Sequence, residues 1–252
     1  MTTFFISDLH LSEKHLDSYY LLVKFLENLP NSTEAIYILG DLFDFWIDDK
    51  LHTPFLTKIK LLLKQYTQKF SIYIIKGNRD FLLGKIFAEE TGCTLLPDIS
   101  VINLHHYKIL LLHGDQLCAN DSLYIYFTKI IRHPLIIWLF KLLPIRIKLR
   151  VAKILRILSE NRQSLAKQSS LIKLRAKPLD EISTSIVEQL MLENVADILL
   201  HGHIHKPNIF HFNLYANFGV KIATRIVLSD WHTQASILAF DHTGYRLKTI
   251  SI

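Results

Sequence analysis

The sequence predicts an α/β fold: a β-sandwich flanked by helices, carrying an inserted and nearly all-helical segment. Three observations predict it. The first ninety residues alternate short β-type runs with runs of helical period. From residue 121 to 193 the pattern is almost wholly helical, broken by Pro134, Pro144 and Pro178. After Ala196, strand-and-turn character returns. The 252 residues, 50% of them hydrophobic, suffice for one sizeable core. The expectation is a single domain over 1–252, with 121–193 as a helical cap inserted within it.

In order, Thr3 to Ser7 reads as a buried strand. Leu16 to Leu29 reads as a helix, because Leu16, Tyr19, Tyr20, Val23 and Leu26 recur at helical spacing. Pro30-Asn31-Ser32 closes it, and Ala35 to Leu39 is the second strand. Phe43 to Lys50 is a loop whose Asp48-Asp49 pair reads as solvated. Pro54 to Lys69 is a second helix, Ser71 to Ile75 a third strand, and Phe81 to Glu90 a third helix ending near Gly92. Val101 to Leu104 and Lys108 to Leu112 flank His105-His106-Tyr107 with no helix between them, which predicts a hairpin. The tail offers β-type runs at 209–212, 225–228, 236–240 and 246–250.

Composition narrows the class. Cys93 and Cys118 are too few for a disulfide framework or a thiolate zinc site and read as free thiols in a reducing compartment. Met1-Thr2-Thr3 leads straight into a strand, without the basic start of a secretory leader. No apolar run is long enough to span a bilayer. The net charge of +6 is concentrated between Lys129 and Lys177, where only Glu160 interrupts the basic residues. Aromatic residues do not alternate regularly with these cations, which argues against a nucleic-acid groove.

The chemistry lies at strand ends. Asp41 follows Ala35 to Leu39; Asp8 and His10 follow Phe4-Phe5-Ile6; Asn78 follows Ile72 to Ile75; His113 follows Ile109 to Leu112; His203 and His205 follow Ile198 to Leu200. Open α/β folds place ligands at the carboxyl ends of strands. Carboxylates, an amide and imidazoles without thiolates suit Mn²⁺, Fe, Co²⁺ or Zn²⁺. Asp8-Leu9-His10 and His203-Ile204-His205 each put two donors on one face if extended. Asp41 reads as the shared ligand of a two-metal centre, and such a centre generates a hydroxide at neutral pH and clamps a phosphoryl group. Asp44, Asp80 and Asp115 read as groups that orient ligands or cap turns rather than as ligands. His105, His106, His133, His211, His232 and His242 read as surface, loop or packing residues, and Ser229-Asp230-Trp231-His232 reads as packing near the site with no chemistry assigned.

Asp8-Leu9-His10, Gly40-Asp41, Gly77-Asn78-Arg79-Asp80, His113-Gly114-Asp115 and Gly202-His203-Ile204-His205 resemble the five ordered motifs of the calcineurin-like metallophosphoesterases. The chain departs from the usual Gly-Asn-His-Asp/Glu motif in having Arg79. An arginine stays charged and presents a fork of donors to phosphate, so binding and charge stabilisation replace acid catalysis at that position. With the longer runs 40–46, 77–84, 113–118 and 202–207, this resembles the branch of the family that acts on UDP-linked diacyl sugars in lipid A biosynthesis.

The resemblance implies hydrolysis of the diphosphate bond of UDP-2,3-diacylglucosamine by a metal-bridging hydroxide. The products are UMP and 2,3-diacylglucosamine 1-phosphate (lipid X). It implies two Mn²⁺ ions per chain: one on Asp8, His10 and His205, the other on Asn78, His113 and His203, with Asp41 bridging. Asp41, Arg79 and His203 are the implied catalytic residues. Asn78, Arg79, Asp121, Tyr124, Arg156, Ser159, Gln163, Lys167 and His203 are the implied substrate contacts. The partners are the lipid substrate and a membrane surface, with the protein peripheral on the cytoplasmic face of the inner membrane. The apolar residues 135–143 fit acyl-chain or bilayer contact, and the basic polar face of the helix that follows fits an anionic surface. Two alternatives stay open: another dimetal phosphodiesterase or nucleotide hydrolase on the same body, and a non-catalytic interaction scaffold.

Overall fold

The computed structural model describes residues 1–118, 130–151, 182–216, 219–232 and 234–251. Two compact units emerge, one formed by Met1–Asp115 with Val187–Ile252 and the other by Gln116–Ile186.

The larger unit is built on two sheets. In the first, β1 (Thr2–Ile6), β2 (Thr33–Leu39), β3 (Ser71–Ile75) and the short β4 (Thr94–Leu96) run parallel. The antiparallel hairpin β10 (Gln234–Asp241) and β11 (Gly244–Ser251) extends them, in the order β11-β10-β1-β2-β3-β4. The second sheet comprises β5 (Ile99–Leu104), β6 (Tyr107–Leu112), β7 (Ile198–His201), β8 (Asn208–Ala216) and β9 (Gly219–Val227), in the order β5-β6-β7-β9-β8. Its central strands β6, β7 and β9 are parallel, and β5/β6 is the hairpin expected from sequence.

Side chains from both sheets form one core cluster. Phe5, Leu39, Ile75, Leu238 and Phe240 come from the first sheet; Ile109, Leu111, Ile198, Leu200 and Ile226 come from the second. Each such side chain contributes roughly 1.5–3 kcal/mol by leaving water. The last four residues of β6 and all of β7 are buried. That explains why both read as continuous apolar runs rather than as alternating strands.

The helices of this unit form for local reasons. Helix α1 (Leu16–Glu27) buries Tyr19, Leu22 and Leu26, one face of a helical repeat. Helix α2 (Pro54–Thr67) starts with Pro at its first turn, and the Thr53 hydroxyl accepts from Leu56 N. Helix α3 (Lys85–Thr91) ends on Gly92 in the left-handed conformation, φ 75°. It starts four residues later than the sequence suggests, because Phe81 to Gly84 form a turn in which Leu83 N donates to Asp80 O. Strand β4 is too short to register in the sequence.

The solvated reading of Asp48-Asp49 fails for Asp49, which is buried. Its carboxylate accepts from Trp46 Nε1 (3.0 Å), Gly84 N (3.0 Å) and Phe87 N (3.3 Å). It therefore caps α3 and pins the loop that carries Trp46. Lys60, also buried, donates to Asp49 O (3.1 Å) and pairs with Glu90 at 2.6 Å, tying α2 to α3.

In the smaller unit, Ser183 N donates to Leu117 O beside a Cys118–Ile182 bridge. Helix α4 (Pro134–Leu142) begins with Pro134, and the His133 imidazole accepts from Leu135 N. None of its residues is buried, and Leu135, Ile136, Trp138, Leu139 and Leu142 are exposed. Residues 145–151 are helical, and the unit ends within the first turn of α5 (Thr184–Glu193), whose residues from Val187 on belong to the larger unit.

Candidate metal centre

Five parallel strands from the two sheets, β1, β2, β3, β6 and β7, deliver the donors at their carboxyl ends. Asp8, His10, Asp41 and Asn78 leave the first sheet; His113, His203 and His205 leave the second. One group of potential ligands is Asp8, His10 and His205; a second is Asp8, Asp41 and His113. Asp8 Oδ1 lies 3.9 Å from His10 Nε2 and 3.3 Å from His205 Nε2. Asp41 Oδ2 lies 3.9 Å from His10 Nε2 and 3.6 Å from His113 Nε2, between donors of the two expected sets. His113 Nε2 in turn is 2.9 Å from Asn78 Oδ1 and 3.2 Å from His203 Nδ1.

The backbone is bent to achieve this. Among the described residues, seven non-glycine positions have positive φ, and Asp8, His10, Asp41, His203 and His205 are five of them. Left-handed backbone costs energy at such residues and persists where the surroundings enforce it, commonly at functional sites. The glycines of the motifs make room. A Cβ on Gly77 would lie 2.1 Å from Asp41 Oδ1; one on Gly202 would lie 2.0 Å from both Asp8 Oδ2 and Ser7 Oγ. Gly202 is outside the left-handed region, so its role is close approach.

Hydrogen bonds aim the donors. Asp41 Oδ1 accepts from Arg79 N at 2.8 Å, which leaves Oδ2 for the centre. Asp8 Oδ2 accepts from Ser7 Oγ and from His203 N (2.9 Å), so one carboxylate joins β1 to β7. His113 Nδ1 is 2.9 Å from Leu39 O. With Nδ1 donating there, the ring turns Nε2 toward Asn78 Oδ1 and His203 Nδ1. Asp80 Oδ1 accepts from Gly77 N, and its Oδ2 from Leu42 N and Phe43 N, which makes it the turn-capping group expected. Arg79 is one-third exposed, with its guanidinium 3.7 Å from Asp44.

The electrostatics call for cations. Burial, with Asp80 and Asp8 adding, pushes the Asp41 carboxyl up to about 7. Burial also disfavours a charged His113, but Asp41, Asp8 and Asp115 outweigh it and lift this imidazole to about 9. His10 and His203 are driven down by burial, to about 3 and about 4, so they are neutral with lone pairs available. His10 Nδ1 is buried without a hydrogen-bond partner among the described residues. Buried carboxylates with imidazole and amide donors, two of the imidazoles neutral, fit hard-to-borderline divalent metals.

Sequence reasoning passed over Asp230. It follows β9, parallel to β7, and its Oδ2 lies 2.8 Å from His205 Nδ1. The signal was available: an acid two residues past the apolar run Ile226-Val227-Leu228, as Asp41 is two past Leu39, repeats that pattern. His232, expected to pack, stacks on His10 with ring centroids 5.6 Å apart. Asp121, Tyr124, Arg156, Ser159, Gln163 and Lys167 lie outside the described residues.

Residues 1–207 match the calcineurin-like phosphoesterase family model. A UDP-2,3-diacylglucosamine hydrolase of Vibrio vulnificus (strain YJ016) is 40% identical over 98% of this chain and 97% of its own length. One from Histophilus somni (strain 2336) is 38% identical over 97% and 98%. Among solved structures, an archaeal phosphodiesterase aligns over 99% of this chain and 100% of its own at 12% identity and a TM-score of 0.49, too distant to carry weight. With its motifs gathered at one edge of the sandwich and matched over most of its length, the chain belongs to the calcineurin-like phosphoesterase family.

Proposed function

We propose that this protein hydrolyses the diphosphate bond of UDP-2,3-diacylglucosamine, releasing UMP and 2,3-diacylglucosamine 1-phosphate in lipid A biosynthesis. The observation that carries the reading is the gathering of Asp8, His10, Asp41, His113 and His205 within ligand distance of one another, with Asn78 and His203 against His113, in a chain about 40% identical to hydrolases of that substrate. Asp8, His10 and His205 would hold one metal and Asn78, His113 and His203 the other, with Asp41 shared; we assign Mn²⁺ to both. When bound, such a pair supplies a nucleophile at neutral pH and neutralises charge on a phosphoryl group.

The remaining work falls to side chains. The Arg79 guanidinium is partly exposed and held near Asp44, able to present paired donors to a phosphate. Its backbone N–H fixes Asp41, so phosphate binding and metal holding share one turn. His203 is neutral and contributes a ligand and a polar neighbour for the departing phosphate. Residues 1–252 form one domain in this reading, with 121–193 as its helical cap. Asp121, Tyr124, Arg156, Ser159, Gln163 and Lys167 are proposed substrate contacts within that segment.

The exposed apolar side chains of α4 support contact with acyl chains or with a membrane surface. No described helix is long and apolar enough to cross a membrane. We place the protein peripherally on the cytoplasmic face of the inner membrane, without a nucleic-acid partner.

The test is an assay of the purified protein on UDP-2,3-diacylglucosamine in detergent, with and without Mn²⁺, and UMP as readout. Mn²⁺-dependent UMP release that falls about 10²-fold in Arg79→Ala is expected. Turnover of bis-p-nitrophenyl phosphate or cyclic nucleotides, with none of the UDP-lipid, refutes the substrate.

A further inference from the structure

The segment Asp230-Trp231-His232 leaves the carboxyl end of β9, beside the end of β7. It is rigidly held. Trp231 is fully buried, packs edge-to-face on Phe25 at 5.9 Å, and its carbonyl accepts from Ser18 Oγ of α1. Trp231 N donates to Asp8 O at 3.0 Å. Asp230 Oδ1 accepts from His232 N at 3.1 Å, and Oδ2 lies 2.8 Å from His205 Nδ1. The His232 ring lies 11° from parallel to that of His10. Three consecutive residues thus touch the backbone of Asp8, the ring of His10 and the ring of His205. These are the three ligands assigned to one metal, and the segment's described contacts with proposed ligands are confined to them.

We infer that Asp230 is a positioning residue for one metal site, locking the orientation and tautomer of His205. The inference rests on the dimetal reading above. A carboxylate at Nδ1 keeps the N–H on that nitrogen and turns Nε2, which faces Asp8 Oδ1 at 3.3 Å, into the atom that would meet a metal. Carboxylates bonded to a ligating imidazole fix its ring and raise its basicity toward the metal, and their loss costs about 10–100-fold in metal affinity. Because the segment's described contacts with proposed ligands fall on the Asp8, His10 and His205 set, the effect is one-sided.

The test is calorimetric titration of Mn²⁺ into the metal-stripped full-length protein, with metal content measured after gel filtration. Wild type takes two ions. In Asp230→Ala, one site is expected to weaken about 10–100-fold while the other keeps its affinity. Asp230→Asn keeps an oxygen acceptor but loses the charge, so its loss is intermediate. UMP release by both variants recovers as Mn²⁺ is raised. Two sites of unchanged affinity in Asp230→Ala overturn the inference, and so does equal weakening of both sites with a lowered Tm, the mark of a merely structural residue. Wild type that takes up no Mn²⁺ overturns the dimetal reading and the inference with it.

Discussion

At the scale of single residues, space is as decisive as chemistry. The carboxylates of Asp8 and Asp41 pass so close to Gly202 and Gly77 that no Cβ fits. Gly202→Ala would push a methyl group into Asp8 Oδ2 and Ser7 Oγ. Asp8 loses its aim toward His10 and His205, and the variant is expected to retain less than half the wild-type metal after gel filtration while staying folded by circular dichroism. Full metal content in Gly202→Ala would show that the carboxylate can relocate freely. The proposed ligands were legible in the sequence because each follows an apolar run and the motifs recur in order. Asp230 was not. Its carboxylate acts through His205, and only the parallel pairing of β7 with β9 brings the two together across 25 positions of chain.

At the scale of elements, the loop between β2 and α2 shows what pattern alone misses. Two adjacent acids after a tryptophan look like a wet turn, but Asp49 is buried. Asp49 satisfies an indole N–H and two backbone N–H groups at the start of α3. Leaving such buried donors unpaired costs about 1–3 kcal/mol. Asp49→Ala is therefore expected to lower the free energy of unfolding by about 2–3 kcal/mol in urea titration. A change under 0.5 kcal/mol would mean that water replaces the carboxylate without loss. The same loop hydrogen-bonds to Arg79 O through Trp46 N, so the change should also reach the phosphate-binding turn. Helix starts and strands at propensity-rich runs were legible; the late start of α3 was not, because Asp80 and Asp49 set it from a distance in sequence.

At the scale of the whole molecule, the two-sheet body was legible from strand-helix alternation and the β-rich tail. The pairing of β7 between β6 and β9 was not, since adjacency across a long helical insertion leaves no local trace. The smaller unit raises a separate expectation. An α-helix with no buried residue and exposed Leu135, Trp138, Leu139 and Leu142 presents apolar area that soluble surfaces seldom show in one patch. Replacing Trp138 and Leu142 by serine should reduce co-sedimentation with anionic phospholipid vesicles at least severalfold. Equal sedimentation of variant and parent would remove α4 from the membrane-binding surface.

The donors of each proposed metal come from both sheets: Asp8 and His10 with His205 in one set, Asn78 with His113 and His203 in the other. A cation held this way is a rivet through two plates. Any slippage of one sheet over the other pulls its ligands apart, so binding and alignment of the sheets are thermodynamically linked. The tolerances of the centre are thus set by Phe5, Leu39, Ile198 and Leu200, which wedge the plates at a fixed spacing without touching an ion. The hydrophobic core works here as the calibration of a mechanical joint.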